Sequence, residues 1–315
     1  YDEQVITKKH NKKSKIRKIV VISFAILFIL AIIFLLVVPY MIIGDMVNTH
    51  IDFREVNSPE DYGLSAEKIK LTTKDGFNVV AYEVEVDDPK AIIIFISGIH
   101  NPSVTAFFDH SKMLKKNDYG SVLLEMRAHG ESDGDLICLG YKEYLDVKAV
   151  VDYLSSKYKD TSIIVYGISM GGATAINSIG EIEEIDGLIS VSAYSSWVDT
   201  FCDNMVNMGA PKAYAKVQKP FVKVYLTFKY GLGSFYINPK DEIKKIGERP
   251  ALIIHSTEDS QVPFSSFERI MKNAPDHVES LIIKGNKHIL SLEEDKDYAE
   301  HILEFLDRYF KDIRR

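Results

Sequence analysis

The chain has 315 residues, of which 46% are hydrophobic, and this is enough apolar material to bury the core of a large domain. The composition therefore excludes an intrinsically disordered protein. The net charge is −7, but residues 1–18 alone carry +5, so the rest of the chain carries −12. An acidic main domain argues against nucleic acid and against anionic lipid headgroups as its partners.

The first predicted element is a membrane span. Residues 19–38 contain no charge, and ~20 such residues are what a helix needs to cross ~30 Å of hydrocarbon. Residues 37–41 lack the small-x-small pattern of a signal-peptide cleavage site, so we expect an uncleaved transmembrane anchor over 19–43. The basic tail, residues 1–18, precedes the span with seven Lys or Arg. The positive-inside rule then predicts a single-pass cell-membrane protein whose amino end is cytoplasmic and whose main domain is extracytoplasmic.

A connector is expected over 44–65, followed by the main domain over 66–315. Residues 69–73 and 77–86 alternate apolar and polar side chains on either side of Lys74-Asp75-Gly76. Because Asp-Gly favours the tight turns that join antiparallel strands, this pattern predicts a β-hairpin. The unbroken apolar run 91–96 is typical of a strand buried on both faces of a parallel sheet.

Beyond residue 96, strands and helices alternate, which favours a mostly parallel sheet with helices on both faces. Further strands are predicted over 121–126, 163–166, 187–191, 251–255 and 278–283, and helices over 107–116, 141–158 and 298–309. About fifty residues, 198–249, interrupt this alternation and are rich in Phe, Tyr and Met. We interpret them as a helical lid inserted into the sheet order.

A strand-to-helix turn lies at the centre of the domain, where residues 163–166 lead into Gly167-Ile168-Ser169-Met170-Gly171. Gly-x-Ser-x-Gly at such a turn predicts a nucleophile elbow. The glycines let the strand and the helix approach closely, while the residue at the tip is held in a sparsely populated backbone conformation. Ser169 is therefore the candidate nucleophile.

A serine nucleophile needs a base, and the base needs an acid that orients it. Asp259 follows the strand 251–255, and His288 follows the strand 278–283 after a short glycine-containing loop. The order Ser169, Asp259, His288 is that of an α/β-hydrolase triad. Glu258 and Asp199 remain alternatives for the acid.

Two backbone N–H groups are expected to form the oxyanion hole. That of Met170 begins the helix after the elbow, and that of Ile99 follows Gly98 at the end of a buried strand. We expect no cofactor and no metal. The two cysteines, Cys138 and Cys202, lack metal-ligand spacing, and the sequence leaves open whether they form a disulfide or two buried free thiols.

Four motifs in order resemble those of the α/β-hydrolase superfamily: residues 167–171, the run Arg127-Ala-His-Gly-Glu-Ser132, Asp259 followed by Val262-Pro263, and His288. Within it the chain is most similar to membrane-anchored bacterial hydrolases of the serine aminopeptidase-like (S33-type) group. The resemblance covers residues 66–312. It implies that Ser169, Asp259 and His288 are nucleophile, acid and base, and that residues 127–132 form a structural loop beside the site.

The chain departs from that group at three positions. Ser97-Gly98 stands where His-Gly is usual in the oxyanion loop, Glu125 stands where Asp often precedes the Arg motif, and Ala128 stands where Gly is common. None of these changes removes a backbone donor. They bear on which substrate is preferred.

The leading hypothesis is a membrane-anchored serine hydrolase that cleaves an ester, thioester or amide of a small-molecule or lipid-like acyl substrate. The aromatic-rich lid suggests an apolar acyl pocket, with Phe201 and Met205 as substrate contacts. The alternative is a peptidase acting on short peptides outside the cell, with Asp199 or Asp203 binding the peptide amino group. A third hypothesis is a non-catalytic binding protein on a hydrolase scaffold. The sequence leaves the oligomeric state open.

Overall fold

The computed structural model describes residues 2–100, 102–292 and 296–311, with side chains described from Lys15 onward except that of Lys296. The side chains of Lys8, Lys9, Lys12 and Lys13, on which the predicted orientation in the membrane partly rests, therefore lie outside the described residues.

Eight strands form one sheet. They are β1 (Glu67–Thr72), β2 (Asn78–Val84), β3 (Ala91–Ile96), β4 (Gly120–Glu125), β5 (Ser162–Ile168), β6 (Gly187–Val191), β7 (Ala251–Ser256) and β8 (Glu279–Ile283). The spatial order is β1-β2-β4-β3-β5-β6-β7-β8. The hairpin β1–β2 is antiparallel, as its Asp-Gly turn predicts, and β2 also pairs antiparallel with β4, whereas every later pairing is parallel.

Ten α-helices accompany the sheet in the described part of the chain. They are α1 (Asp2–Val47), α2 (Phe108–Lys115), α3 (Tyr144–Lys157), α4 (Met170–Glu181), α5 (Trp197–Asn207), α6 (Lys212–Tyr230), α7 (Gly233–Tyr236), α8 (Pro239–Glu242), α9 (Ser265–Met271) and α10 (Lys296–Phe310). Short 3₁₀ turns occur at Pro59–Tyr62, Val104–Phe107 and Ile243–Lys245. Helices α5 to α8 form the predicted lid between β6 and β7, whereas α9 was not predicted.

The sheet is buried on both faces, which is what the unbroken apolar runs predict. Every residue of β3 to β7 is buried. Successive side chains of a strand point to opposite faces, so Ile92 and Ile94 pack in one core with α3 and α4, while Ile93 and Phe95 pack in the other with α2 and α10. The predicted α/β-hydrolase fold is confirmed.

Helix α1 is longer than the predicted span. From Lys15 to Val47 it is long and apolar enough to cross a bilayer, and its most apolar stretch is exposed. Residues 44–47, which we expected in the connector, continue the helix. They do so because Ile43 and Val47 are completely buried against the main domain.

The segment after α1 is bound to the loop around Arg127. The N–H of Ile51 donates to the carbonyl of Ala128 at 2.8 Å, and the N–H of Gly130 donates back to the carbonyl of Ile51 at 2.9 Å. The last turn of α1 also accepts a bond, from the N–H of Ile137 to the carbonyl of Val47 at 2.9 Å. The chain therefore enters the domain as part of its hydrogen-bonded structure.

Candidate active site

Ser169 occupies the tip of the turn between β5 and α4, with φ 58° and ψ −119°. A non-glycine residue with positive φ is uncommon and marks a strained position. A Cβ at Gly167 would lie 2.0 Å from the carbonyl oxygen of Gly171, and one at Gly171 would lie 2.4 Å from that of Ile96. Both glycines are thus required by the close approach of backbone segments, as the elbow motif predicts.

The structure brings the three candidate triad side chains together in one line. His288 Nε2 lies 2.8 Å from Ser169 Oγ, and His288 Nδ1 lies 2.7 Å from Asp259 Oδ2. Ser169 follows β5, Asp259 follows β7 and His288 follows β8. All three lie at the carboxyl ends of parallel strands, where α/β sheets place their sites. This is the geometry of a nucleophile, a base and an acid that fixes the tautomer of the base.

Asp259 is buried and held by several donors. Burial by itself raises the pKa of a carboxyl group, but the hydrogen bond and charge of His288, together with the N–H groups of Gln261 and Val262 at 2.8 and 2.9 Å, outweigh it and lower the pKa of Asp259. His255, which sequence reasoning missed, donates from Nε2 to the carbonyl of Val262 at 2.9 Å and so supports this loop. Its position at the end of β7, four residues before Asp259, was the available signal.

The predicted oxyanion residues lie next to the nucleophile. Met170 is the first residue of α4, and Ile99 lines the same cavity as Ser169. A Cβ at Gly98 would lie 3.6 Å from the Cβ of Ser169, so the Ile99 loop passes directly beside the elbow. His129, buried in the Arg-Ala-His-Gly motif, places Nε2 2.7 Å from the carbonyl of Ile99 and Nδ1 2.8 Å from that of Arg127, and so links this loop to the motif. Sequence reasoning did not single out His129.

A cavity of about 270 Å³ opens at Ser169 and His288. Its apolar walls are formed by Ile99, Pro102, Phe107, Ile168 and Ile289. Ligand pockets usually measure about 300–1,000 Å³, so this one is small. Ser97, His100 and Gln261 contribute polar side chains to the same lining.

The two predicted lid contacts lie elsewhere. Phe201 is buried in the hydrophobic core, and Met205 is partly buried against the same core. Neither is among the described residues that line the cavity at Ser169. The physical reason is that α5 turns the face bearing these side chains toward the domain, where burial of large apolar groups is most favourable.

The lid carboxylates are already paired. Asp199 Oδ1 accepts from Lys219 Nζ at 2.7 Å, and its other oxygen accepts from Lys240 and from Ser196. Asp203 forms two bonds with Arg269, at 2.6 and 3.0 Å. These carboxylates therefore serve the packing of the lid, and the alternative acid Asp199 lies outside the hydrogen-bonded line of the candidate triad.

Residues 127–132 form a tightly bonded loop beside the site, as the resemblance implies. The buried guanidinium of Arg127 bonds Asp146 at 2.7 Å and Asp75 at 2.7 Å, which ties the loop to α3 and to the β1–β2 turn. Glu125 accepts from the N–H of Glu131 at 2.8 Å. Its longer side chain fills the space above Gly130, where a Cβ would come within 2.4 Å of the carboxylate.

Both cysteines are buried free thiols.

The described residues contain one group of carboxylates close enough to hold a metal ion, formed by Glu67, Glu83 and Glu85 at the edge of the sheet. Lys157 Nζ already bonds Glu83 at 2.9 Å and also contacts Glu85. Lys157 offsets one of the three negative charges and bridges Glu83 and Glu85, so these two carboxylates are explained as part of an ion-pair network.

His50 links the segment after α1 to the loop beside the site. Its Nδ1 lies 2.7 Å from the carbonyl of Gly134, and its Nε2 lies 2.8 Å from that of Gly130. Both nitrogens donate only in the protonated ring. The hydrogen bond to the carbonyl of Gly134 has the largest effect and raises the pKa of His50. Burial lowers this pKa, but the bond to the carbonyl of Gly130 raises it again, so the pKa is raised overall.

We expect a pH-dependent loss of stability when this histidine is replaced. Because the pKa is raised in the folded state, the stabilisation is complete below the ordinary value of 6.5 and is lost as the pH rises through the folded value. His50→Gln should lower the free energy of unfolding by about 1 kcal/mol at pH 5.5 and by less at pH 9. Thermal unfolding midpoints across this range measure the difference. His301→Gln, on the exposed side of α10, is the control, and a pH-independent difference for His50→Gln would contradict the expectation.

Residues 87–248 match the family model described as serine aminopeptidase, S33. The chain is 24% identical over 266 residues to the uncharacterized protein YqkD of Bacillus subtilis, and this alignment covers 81% of the chain and 85% of YqkD. It is also 25% identical over 146 residues to the uncharacterized membrane protein YNL320W of Saccharomyces cerevisiae, covering 45% of the chain and 50% of that protein.

The Pf2001 esterase of Pyrococcus furiosus superposes with a TM-score of 0.66. Its sequence is 23% identical, and the superposition covers 83% of the chain and 98% of the esterase. At this level of identity the likeness establishes the shared fold, and the choice of substrate has to be argued from the site itself.

Proposed function

The chain belongs to the serine aminopeptidase family S33, and on this premise we propose that it is a membrane-anchored serine hydrolase that cleaves an ester or thioester of a short apolar acyl group. Ser169 is the nucleophile, His288 the base and Asp259 the acid. The N–H groups of Ile99 and Met170 form the oxyanion hole.

The geometry supports a two-step acyl transfer. His288 Nε2, 2.8 Å from Ser169 Oγ, takes the hydroxyl proton as the oxygen attacks the acyl carbonyl, and Asp259 stabilises the resulting imidazolium. The two N–H groups stabilise the tetrahedral oxyanion. His288 returns the proton to the departing alcohol or thiol, which leaves an acyl-enzyme. A water, deprotonated by His288, then releases the carboxylic acid and restores Ser169.

The observation that carries the acyl preference is the lining of the cavity. Five apolar side chains line the space next to Ser169 beside the polar Ser97, His100 and Gln261, and no carboxylate occurs among the described residues that line it. Burying an apolar group there is favourable by about 0.8 kcal/mol per methylene. A charged peptide amino group would lose its hydration in the same space without gaining an anionic partner.

Peptide hydrolysis is the second candidate, and the family's description favours it. An acidic group that binds the amino terminus of the substrate would favour it further. The lid carboxylates that the sequence offers for this task, Asp199 and Asp203, are occupied by Lys219, Lys240 and Arg269. The esterase proposal therefore accounts for more of the site.

A panel of substrates tests the proposal. We expect kcat/KM to rise from acetyl to butyryl thioesters and esters, to fall for long acyl chains that exceed the cavity, and to be far lower for aminoacyl amides. Ile289→Ala should reduce the preference for butyryl over acetyl by roughly tenfold, because this cavity residue loses apolar contact with the acyl chain.

The matched control is Ile282→Ala. Ile282 is 49% exposed, close to the 44% of Ile289, but it lies on β8 outside the cavity lining, so its replacement should leave the acyl profile unchanged. Faster hydrolysis of aminoacyl amides than of any ester would favour the peptidase instead.

Membrane attachment through α1 is part of the proposal. Its support is the exposed apolar stretch of α1 and the similarity to a protein named as a membrane protein. The lysines before residue 19 favour a cytoplasmic amino end. A Lys15→Cys reporter should then be protected from a membrane-impermeant maleimide in intact cells, whereas Val56→Cys, 60% exposed beyond the span, should react. Reversed labelling would overturn this orientation.

A further inference from the structure

Helix α6 of the lid presents an apolar face to solvent. Surface helices normally expose charged and polar residues on their outer face. Here the outer face consists of five exposed residues: Ala213, Val217, Pro220, Val224 and Phe228. They follow one another at intervals of three or four residues, so they lie on one face of the helix. The exposed fractions are 92% for Phe228, 57% for Val224 and 51% for Val217. We refer to these five residues as the outer stripe.

The outer stripe is continuous with the candidate membrane span. Helix α6 packs along α1, where Gln218 Nε2 donates to the carbonyl of Leu35 at 2.7 Å and the rings of Tyr225 and Tyr40 meet edge-to-face with centroids 6.2 Å apart. Because later residues of α6 contact later residues of α1, the two helices run side by side in the same direction. Gln218 is thus level with Leu35, near the end of the uncharged segment 19–38, whereas Lys229 Nζ contacts Asn48 Oδ1, so α6 runs from the level where α1 would leave the hydrocarbon to the level beyond it.

Charge is distributed around α6 as at a lipid interface. Lys212, Lys216, Lys219 and Lys223 recur at helical spacing along one edge of the outer stripe. The opposite edge carries aromatic side chains, Tyr214, Phe221 and Tyr225, and leads to α1. An apolar face bordered by lysines and aromatic rings is typical of a surface that meets the membrane–water interface. The main domain is acidic overall, but this edge of α6 is locally basic.

We propose that the outer stripe of α6 is a docking surface for the bilayer that α1 spans. Val217 and Pro220, near the level of Leu35, meet the boundary between headgroups and acyl chains, and Val224 and Phe228 lie among the headgroups. The exposed Lys212 and Lys216 extend toward lipid phosphates, whereas Lys219 remains paired with Asp199. A second copy of the chain is the less suitable occupant, because like-charged lysine edges repel each other. The inference rests on the proposed membrane anchor. It is independent of the proposed reaction.

Quenching of a single tryptophan by brominated lipids tests the proposal on the full chain reconstituted in vesicles of phosphatidylcholine and phosphatidylglycerol. Trp197 is the only native tryptophan, and its buried Nε1 has no hydrogen-bond partner among the described residues, so Trp197→Phe provides the background. In this background Phe228→Trp should be quenched by bromines placed near the headgroup. The Ser169→Ala variant should give the same result, so failure of the proposed hydrolysis would leave the test valid.

Two reference positions complete the experiment. Phe28→Trp, on the exposed face of α1, should be quenched by bromines near the middle of the acyl chain, and Ile282→Trp, on β8, should not be quenched. The proposal is overturned if Phe228→Trp behaves like Ile282→Trp. If the emission of Phe228→Trp shifts with protein concentration and not with bromine, the proposal is overturned, and the outer stripe binds a second copy of the chain instead. An unquenched Phe28→Trp would remove the anchor and the proposal with it.

Discussion

Ser169→Ala should abolish hydrolysis of an activated ester, with kcat/KM falling by about 10⁴ or more, because loss of the triad nucleophile typically costs that much. The fold should remain intact. The elbow is held by the glycine contacts and by the N–H of Ser169, which donates to the carbonyl of Val191 at 2.8 Å, and neither involves the hydroxyl. Steady-state kinetics and labelling by a fluorophosphonate measure the effect, and thermal unfolding verifies the fold.

Ser156→Ala, at an exposed serine of α3, is the control and should retain full activity and labelling. Retention of more than about a thousandth of the wild-type rate by Ser169→Ala would assign the nucleophile to another residue. A wild-type chain that neither hydrolyses any ester or amide nor reacts with the fluorophosphonate would favour the non-catalytic binding protein.

Gly167→Ala should prevent folding. The added Cβ would lie 2.0 Å from the carbonyl oxygen of Gly171 and 2.7 Å from the backbone nitrogen of Gly172. Both obstacles are backbone atoms of α4, so relief of the clash would require the helix to move away from β5. We expect a destabilisation above about 4 kcal/mol, which is a large part of the 5–15 kcal/mol that stabilises a typical domain. Soluble yield and the unfolding midpoint measure it.

Gly233→Ala is the matched control for this substitution. A Cβ there would lie 3.8 Å from Ile237 Cδ1, which is an ordinary contact, and the variant should fold like the wild type. Gly171→Val should fail for the same reason as Gly167→Ala. If Gly167→Ala instead purified with a wild-type midpoint, the close approach of β5 and α4 at this turn would be refuted.

The elbow, the strands and the grouping of the three triad residues follow from local patterns and could be predicted. Buried parallel strands read as apolar runs, and their carboxyl ends meet on one edge of the sheet. Asp259 and His288 therefore had to approach Ser169 once the strands at 251–255 and 278–283 were recognised. The bounds of all eight strands differ from the prediction by two residues or fewer.

The lid could not be predicted in the same detail, because its contacts join residues distant in the sequence. Whether Asp199 is free or paired depends on Lys219 and Lys240 from α6 and α8, and Phe201 is buried because α5 packs on the domain. The link from His50 to Gly134 spans 84 residues. Amphipathic spacing predicts that a helix has an apolar face, but not what that face meets.

The unbroken course of α1 into the domain determines how the enzyme would search for its substrate. A flexible linker of n residues would allow excursions of about 5–6 Å × √n, so that a tethered domain samples a hemisphere above its anchor. Here Val47 is buried and Ile51 is hydrogen-bonded within the domain, so the anchor and the catalytic unit would move as one rigid body. With the proposed anchor, the cavity stays at a fixed height above the membrane. Substrates in the same membrane would reach it by lateral diffusion in two dimensions, whereas soluble substrates would reach it only when they approach the membrane surface.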